Sequence, residues 1–271
     1  MTSLRGAHAV ITGGSSGIGF ATAFMLAQRG ASVTLIARDS VRLEAAASSL
    51  RDAGAPDVRT AAVDVSDQRA ITAALGSLDP CDVLVTAAGQ ARPGHFLELE
   101  DSVFRQMVEV DYFGTLYPIR AVAPSMIERG RGSIVAISSA TALLGIYGYT
   151  AYSPAKFAVR GLMECLRGEL RPHGVHVGCV YPPDVDTPQL AEENEFKPAE
   201  TAAISGAVKP MTAPAVAAKI VRAIERERFA VYPDRSMALL AGLGPLAAPL
   251  VRRVTDRKVR EVRRRARRDP R

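Results

Sequence analysis

Tryptophan is absent from the 271 residues, aromatic residues make up only 6% of them, and five of the 34 basic residues are lysine. The three cysteines, Cys81, Cys165 and Cys179, are odd in number and form no CxxC pair. That argues against a disulfide framework or a thiolate metal site and predicts buried thiols in a reducing compartment. The histidines, His8, His95, His173 and His176, are scattered without ligand spacing and are assigned no metal or catalytic role. No run approaches the roughly 20 apolar residues that a membrane-spanning helix needs. A first strand is expected to begin near His8, which leaves no room for a signal peptide before it. These absences together predict a cytoplasmic protein.

What is present is ordinary for a globular chain: 48% hydrophobic and 23% charged residues, enough for a large core. α/β folds of this length commonly form one domain. The net charge of +6 is unevenly placed. Residues 252–271 hold 11 Lys and Arg against three acids, leaving 23 basic and 25 acidic side chains in the rest. The positive excess therefore describes the tail and not the body.

Short β-branched runs alternate with longer amphipathic stretches, the pattern of βαβ units around a parallel sheet. Strands are expected at 9–12, 32–37, 58–63, 83–86, 133–138, 175–181 and 229–232, several of them apolar throughout, as strands covered on both faces are. Intervening stretches such as 18–28 and 41–53 carry helical spacing. The expectation is a single doubly wound, Rossmann-type α/β domain over residues 1–235, with a less regular insertion at about 184–211. An apolar segment and basic tail follow at 236–271.

The segment Thr12-Gly13-Gly14-Ser15-Ser16-Gly17-Ile18-Gly19 joins the first predicted strand to the first helix. Glycines there permit positive φ and close backbone approach to a pyrophosphate, and the helix N-terminus offers free N–H groups. In that context the turn predicts a dinucleotide site. An NAD site places a carboxylate at the tip of the second strand to accept from the ribose 2′-hydroxyl. This chain instead reads Leu35-Ile36-Ala37-Arg38, and Arg38, reinforced by Arg42 one turn on, would pair with a 2′-phosphate. The expected cofactor is NADP(H), with Asp64-Val65 placed to hold its adenine.

Tyr152 and Lys156 stand four residues apart in Tyr-Ser-Pro-Ala-Lys, hence on one helical face. Bringing a tyrosine pKa from about 10 to about 7 takes roughly 4 kcal/mol of preferential phenolate stabilisation. A neighbouring Lys⁺ and a positive nicotinamide ring would supply it, while Ser139 hydrogen-bonds the substrate oxygen.

These residues together resemble the short-chain dehydrogenase/reductase family, over about residues 7–235. The glycine turn, the Thr86-Ala87-Ala88-Gly89 run, Ser139, the Tyr152/Lys156 pair and Pro182-Pro183 fall in the family's order. The resemblance implies that Tyr152 is the general acid/base, that Lys156 lowers its pKa and binds the nicotinamide ribose, and that Ser139 positions the carbonyl. It also implies cofactor contacts at Ala88, Gly89, Pro182, Val185 and Thr187, and a homo-oligomer, dimer or tetramer. Two positions depart from the family pattern. Thr86 stands where the family usually has an Asn that supports backbone, a role Thr would fill in part. Asp111, in Val110-Asp111-Tyr112-Phe113-Gly114, stands where an Asn usually holds a water in the proton relay.

The stretch from Tyr181 through Asp184, Asp186 and Pro188 to Thr201 is similar to that of the 3-ketodihydrosphingosine reductases, as is the helix from Lys156 to Leu162. That likeness implies NADPH-dependent reduction of 3-dehydrosphinganine to sphinganine, a lipid-like ketone. Another lipid, steroid, 3-oxoacyl or xenobiotic ketone is the alternative. A non-catalytic NADP(H)-binding scaffold is a third, for which Asp111 is the sole argument.

Residues 236–251 carry no charge and contain Pro245 and Pro249. Such a segment cannot span a bilayer as a straight helix but can lie in its interface, beside a polybasic stretch that favours anionic lipid. Equally, the apolar part would pack on the domain or a neighbouring subunit, with a solvated helix after it. Nucleic acid is not an expected partner, since no aromatic platform or reading motif accompanies the arginines.

Overall fold

In β1 (His8–Thr12) every residue is buried, and consecutive side chains serve opposite faces of the sheet. Ala9 and Ile11 join one hydrophobic cluster and Val10 the other. The computed structural model describes residues 3–205 and 209–268. The elements after β1 alternate: α1 (Gly17–Ala27), β2 (Ser32–Ala37), α2 (Ser40–Asp52), β3 (Val58–Ala62), α3 (Gln68–Gly76) and β4 (Val83–Thr86). Then come α4 (Asp101–Met107), a π-helical segment (Val108–Phe113), α5 (Gly114–Glu128), β5 (Gly132–Ile137), α6 (Tyr152–Leu170) and β6 (Val175–Val180). The remainder is β7 (Val185–Asp186), α7 (Pro188–Phe196), α8 (Ala199–Ser205), β8 (Met211–Thr212), α9 (Ala213–Glu225), β9 (Ala230–Val231) and α10 (Arg235–Arg268).

Seven parallel strands pair in the order β3-β2-β1-β4-β5-β6-β9. Helices α1, α2 and α9 cover one face, built on Leu26, Leu43 and Ile220, and α3, α5 and α6 cover the other, built on Ile71, Ile119 and Met163. Each such fully buried aliphatic side chain contributes about 1.5–3 kcal/mol relative to exposure. Strand order reverses between β1 and β4, and a crevice opens there at the strands' carboxyl ends. The expected strands are all present to within one or two residues, except that 229–232 shortens to Ala230–Val231. The irregular insertion folds as α7, α8 and the two-stranded β7-β8 pair.

One expectation fails. Cys81 and Cys179 are buried, but Cys165 is exposed, on the solvent side of α6. In the tail, the basic stretch makes contacts with the domain although most of its arginines stay exposed. Lys258 Nζ donates to the Ala203 carbonyl at 3.1 Å, and Arg263 pairs with Glu200 at 3.3 Å, so the basic stretch packs on α8. Leu239, Leu243, Leu250 and Val254 are left exposed. The arms Arg235–Gly244 and Ala248–Arg265 meet at 116°, and no single helix among the described residues is long and apolar enough to cross a membrane.

Candidate active site

The turn after β1 is shaped by Gly13, at φ +66°, where an added Cβ would sit 2.6 Å from the Ala87 carbonyl oxygen. Only glycine lets β1 and the loop after β4 approach so closely. The turn delivers the chain into α1, whose N-cap residue, Ser16, makes no side-chain cap hydrogen bond. By contrast Asp39 caps α2, Asp67 caps α3 and Thr187 caps α7. The first-turn N–H groups of α1 thus face the crevice without a side-chain acceptor, the arrangement that receives a phosphate.

A cavity of ≈ 1160 Å³ runs from this turn to α7. Every residue expected from the sequence to act in catalysis or bind the cofactor lines it, apart from Asp111. Arg38 and Arg42 stand at the end beyond β2. The next residue, Asp39, accepts from the Val41 and Arg42 amides through Oδ1 and pairs with Arg42 Nε at 3.8 Å through Oδ2. Asp39 is therefore engaged in capping α2, and Arg38 is left as the cation at the strand tip. Asp64 accepts from the Ser66 amide at 2.9 Å and its hydroxyl at 2.6 Å. Burial pushes its carboxyl up, but the Ser66 hydrogen bonds and Arg38 outweigh this and hold it below the usual range. These residues fit a dinucleotide with a phosphate on the ribose.

At the other end Tyr152 opens α6, and Lys156 follows one turn later, both buried. Lys156 Nζ donates to the Ile137 carbonyl at 3.1 Å and lies 3.2 Å from Asp111 Oδ1 and 5.6 Å from the Tyr152 ring centroid. The Ser139 hydroxyl oxygen accepts from the Thr141 amide at 3.1 Å. The hydroxyl also hydrogen-bonds the Tyr152 phenol, so the two groups that would meet a substrate oxygen already face each other. Asp111 sits in the π-helical segment, fully buried, just behind the cavity wall. Its Oδ1 also accepts from the Gln90 amide at 3.1 Å, while Oδ2 has no partner among the described residues. Gly89 admits this pair, since a Cβ there would meet Asp111 Oδ1 at 2.7 Å and Lys156 Nζ at 3.3 Å. Burial raises the Asp111 pKa, with Lys156 opposing.

The protein alone does not lower the pKa of the phenol as the sequence reading expects. Burial raises the Tyr152 pKa well above its ordinary value, the charges of Asp111 and Glu193 add to this, and the Ser139 hydrogen bond opposes it. Burial is the first reason, and the Asp111 carboxylate, paired with Lys156 at 3.2 Å, is the second. Thr86 also departs from its expected part. Its hydroxyl is buried without a partner among the described residues, and the Ala88 amide donates instead to Thr12 Oγ1 at 3.2 Å.

One group of residues escaped sequence reasoning. Tyr149 donates to Glu193 in a short hydrogen bond, and Lys197 lies 3.2 Å from Glu193 and 3.3 Å from Asp184. Glu193, in α7, and Lys197, its C-cap residue, stand four apart, a spacing that usually marks a solvated helix pair. Here both are buried. Only the packing of α7 over the cavity distinguishes the two cases.

Comparison with known proteins places this arrangement. Residues 7–198 match the family described as short chain dehydrogenase. The chain belongs to this family. Among curated short-chain dehydrogenases it is 42% identical over 258 residues to 3-dehydrosphinganine reductase of Danio rerio, covering 90% of this chain and 77% of that one. It is 36% identical over 267 residues to 3-ketodihydrosphingosine reductase of Dictyostelium discoideum, covering 91% and 80%. Among solved structures, a short-chain dehydrogenase from Sphingobium yanoikuyae in complex with NADPH aligns with a TM-score of 0.79 at 26% identity. That alignment covers 90% of this chain and 94% of the other.

Proposed function

We propose that this short-chain dehydrogenase reduces the 3-keto group of 3-dehydrosphinganine to the alcohol of sphinganine, with NADPH as cofactor. The observation that carries the reading is the single cavity joining the glycine turn and Arg38 to Ser139, Tyr152 and Lys156, roofed by α7 from the loop that resembles sphingoid reductases. The likeness to 3-dehydrosphinganine reductases over nine-tenths of the chain supports the substrate. Bound NADPH would supply a hydride to the carbonyl carbon. Tyr152 donates its phenolic proton to the carbonyl oxygen, and Ser139 donates a hydrogen bond to the same oxygen. Lys156 holds the base of the phenol's helix against Ile137 and Asp111. A phenol kept protonated by its surroundings suits donation, and so favours ketone reduction over alcohol oxidation.

The test is NADPH oxidation by the purified protein with 3-dehydrosphinganine, checked by sphinganine formation. Efficient turnover of unrelated ketones with none of this substrate would overturn the assignment, as would equal use of NADH.

For the tail, the reading is peripheral contact between an anionic, cytoplasm-facing membrane surface and the exposed leucines of α10. Leu239 and Leu243, like Leu250 and Val254, stand four residues apart and share a face within their arm, beside the arginines that follow. A lipid substrate gives such contact a purpose.

A further inference from the structure

We propose that Asp184 and Glu193, held by Lys197, form a subsite for the ammonium group of an amino ketone substrate. The inference rests on the substrate reading above, because 3-dehydrosphinganine carries a primary amine on the carbon beside its ketone. Lys197 is buried and bridges two carboxylates, at 3.2 Å from Glu193 and 3.3 Å from Asp184. Two anions against one cation leave the trio negative by one charge. Both carboxylates share Lys197 in their ion pairs. Arg92, also in the cavity wall, lies over the Phe196 ring, 3.1 Å from its centroid.

Of the two carboxylates Glu193 is the buried one, and burying a carboxylate that shares its counter-charge is costly unless a further cation completes it. Tyr149 and Lys197 both meet Oε1 of Glu193, so neither contact uses Oε2. The subsite also stands where an α-amine has to be. The Tyr149 ring, which carries the hydrogen bond to Glu193, lies 5.9 Å from the Tyr152 ring. An amine one carbon from the reacting carbonyl has little reach, so its counter-charge has to stand near the phenol, and the charges of Glu193 and Asp184 both act on Tyr152. The fit is to a small head group bearing an ammonium.

The subsite predicts discrimination that a merely structural cluster would not show. With NADPH saturating, kcat/KM would be measured for 3-dehydrosphinganine and for its N-acetylated analogue, which keeps the chain and ketone but loses the charge. Hydrogen bonds to a charged group contribute about 1.5–3 kcal/mol, so the wild type should prefer the free amine by roughly tenfold or more. Glu193→Gln and Asp184→Asn should each erode that ratio, with the change carried mainly in KM. Asp184 is 38% exposed on its side chain, so its variant is expected to fold even where Glu193→Gln does not. An active wild type without preference, or ratios unchanged in folded variants, would overturn the subsite and leave the sphingoid reading standing. A wild type that reduces neutral ketones but not 3-dehydrosphinganine would overturn both.

Discussion

Asp111 Oδ1 lies 3.2 Å from Lys156 Nζ with both side chains buried, so the ammonium expected to activate the catalytic phenol is paired with a carboxylate. Burial and the Asp111 charge both raise the Tyr152 pKa, which biases the site toward proton donation. Asp111→Asn removes that charge and leaves the Lys156 field acting on the phenol. The variant should keep reductase activity and shift the oxidative kcat/KM–pH profile to lower pH by on the order of one unit. The direction follows because a lower phenol pKa forms the phenolate base at lower pH. Superimposable profiles would show that the pair does not govern the phenol.

Tyr152→Phe removes the only atom that hands over the proton. Turnover should fall by about 10²–10⁴-fold, with NADPH affinity near the wild-type value, since the ring is retained. Single-turnover kinetics with a fluorescence titration of cofactor would separate the two effects. Retention of most of the wild-type rate would point to a different proton donor.

Arg38→Ala tests the choice of dinucleotide. With Asp39 occupied in capping α2, Arg38 is the cation positioned for a 2′-phosphate. Its loss should weaken NADPH binding by about ten- to a hundredfold while leaving NADH binding little changed. Parallel titrations of both cofactors decide, and an equal loss for the two would mean that Arg38 does not read the phosphate.

Gly13→Ala places a Cβ 2.6 Å from the Ala87 carbonyl at a positive φ. Left-handed geometry alone costs an L-residue about 1–2 kcal/mol, and the clash adds to it. Thermal denaturation should show a lower Tm, and cofactor binding should weaken with it. A variant as stable as the parent would mean that the turn relaxes freely.

Glutamate in place of Leu239 and Leu250 tests the membrane reading without disturbing the Lys258 and Arg263 contacts to α8. Each exposed leucine buried in an interface contributes about 1.5–3 kcal/mol, so sedimentation with anionic vesicles should fall more than tenfold. Equal sedimentation of variant and parent would leave the tail with a packing role.

The alternation of buried strands and amphipathic helices, the glycine turn and the Ser139, Tyr152 and Lys156 set were legible because each is local. Periodicity, steric freedom at glycine and a four-residue helical spacing are properties of neighbouring residues. What the chain could not show by itself was how charges combine across distance. Asp111 and Lys156 are 45 positions apart in sequence, and only the packing of the π-helical segment against α6 pairs them. The same holds for Glu193 and Lys197, whose spacing looks like an ordinary surface pair until α7 closes over the cavity. The tail's leucines and arginines were visible as composition, but which of them faces the domain depends on how α10 lies on α8. Local sequence determined the fold and named the reacting groups. The tertiary structure decided their electrostatics, because the field at a buried phenol depends on every charge brought near it and on the water taken away.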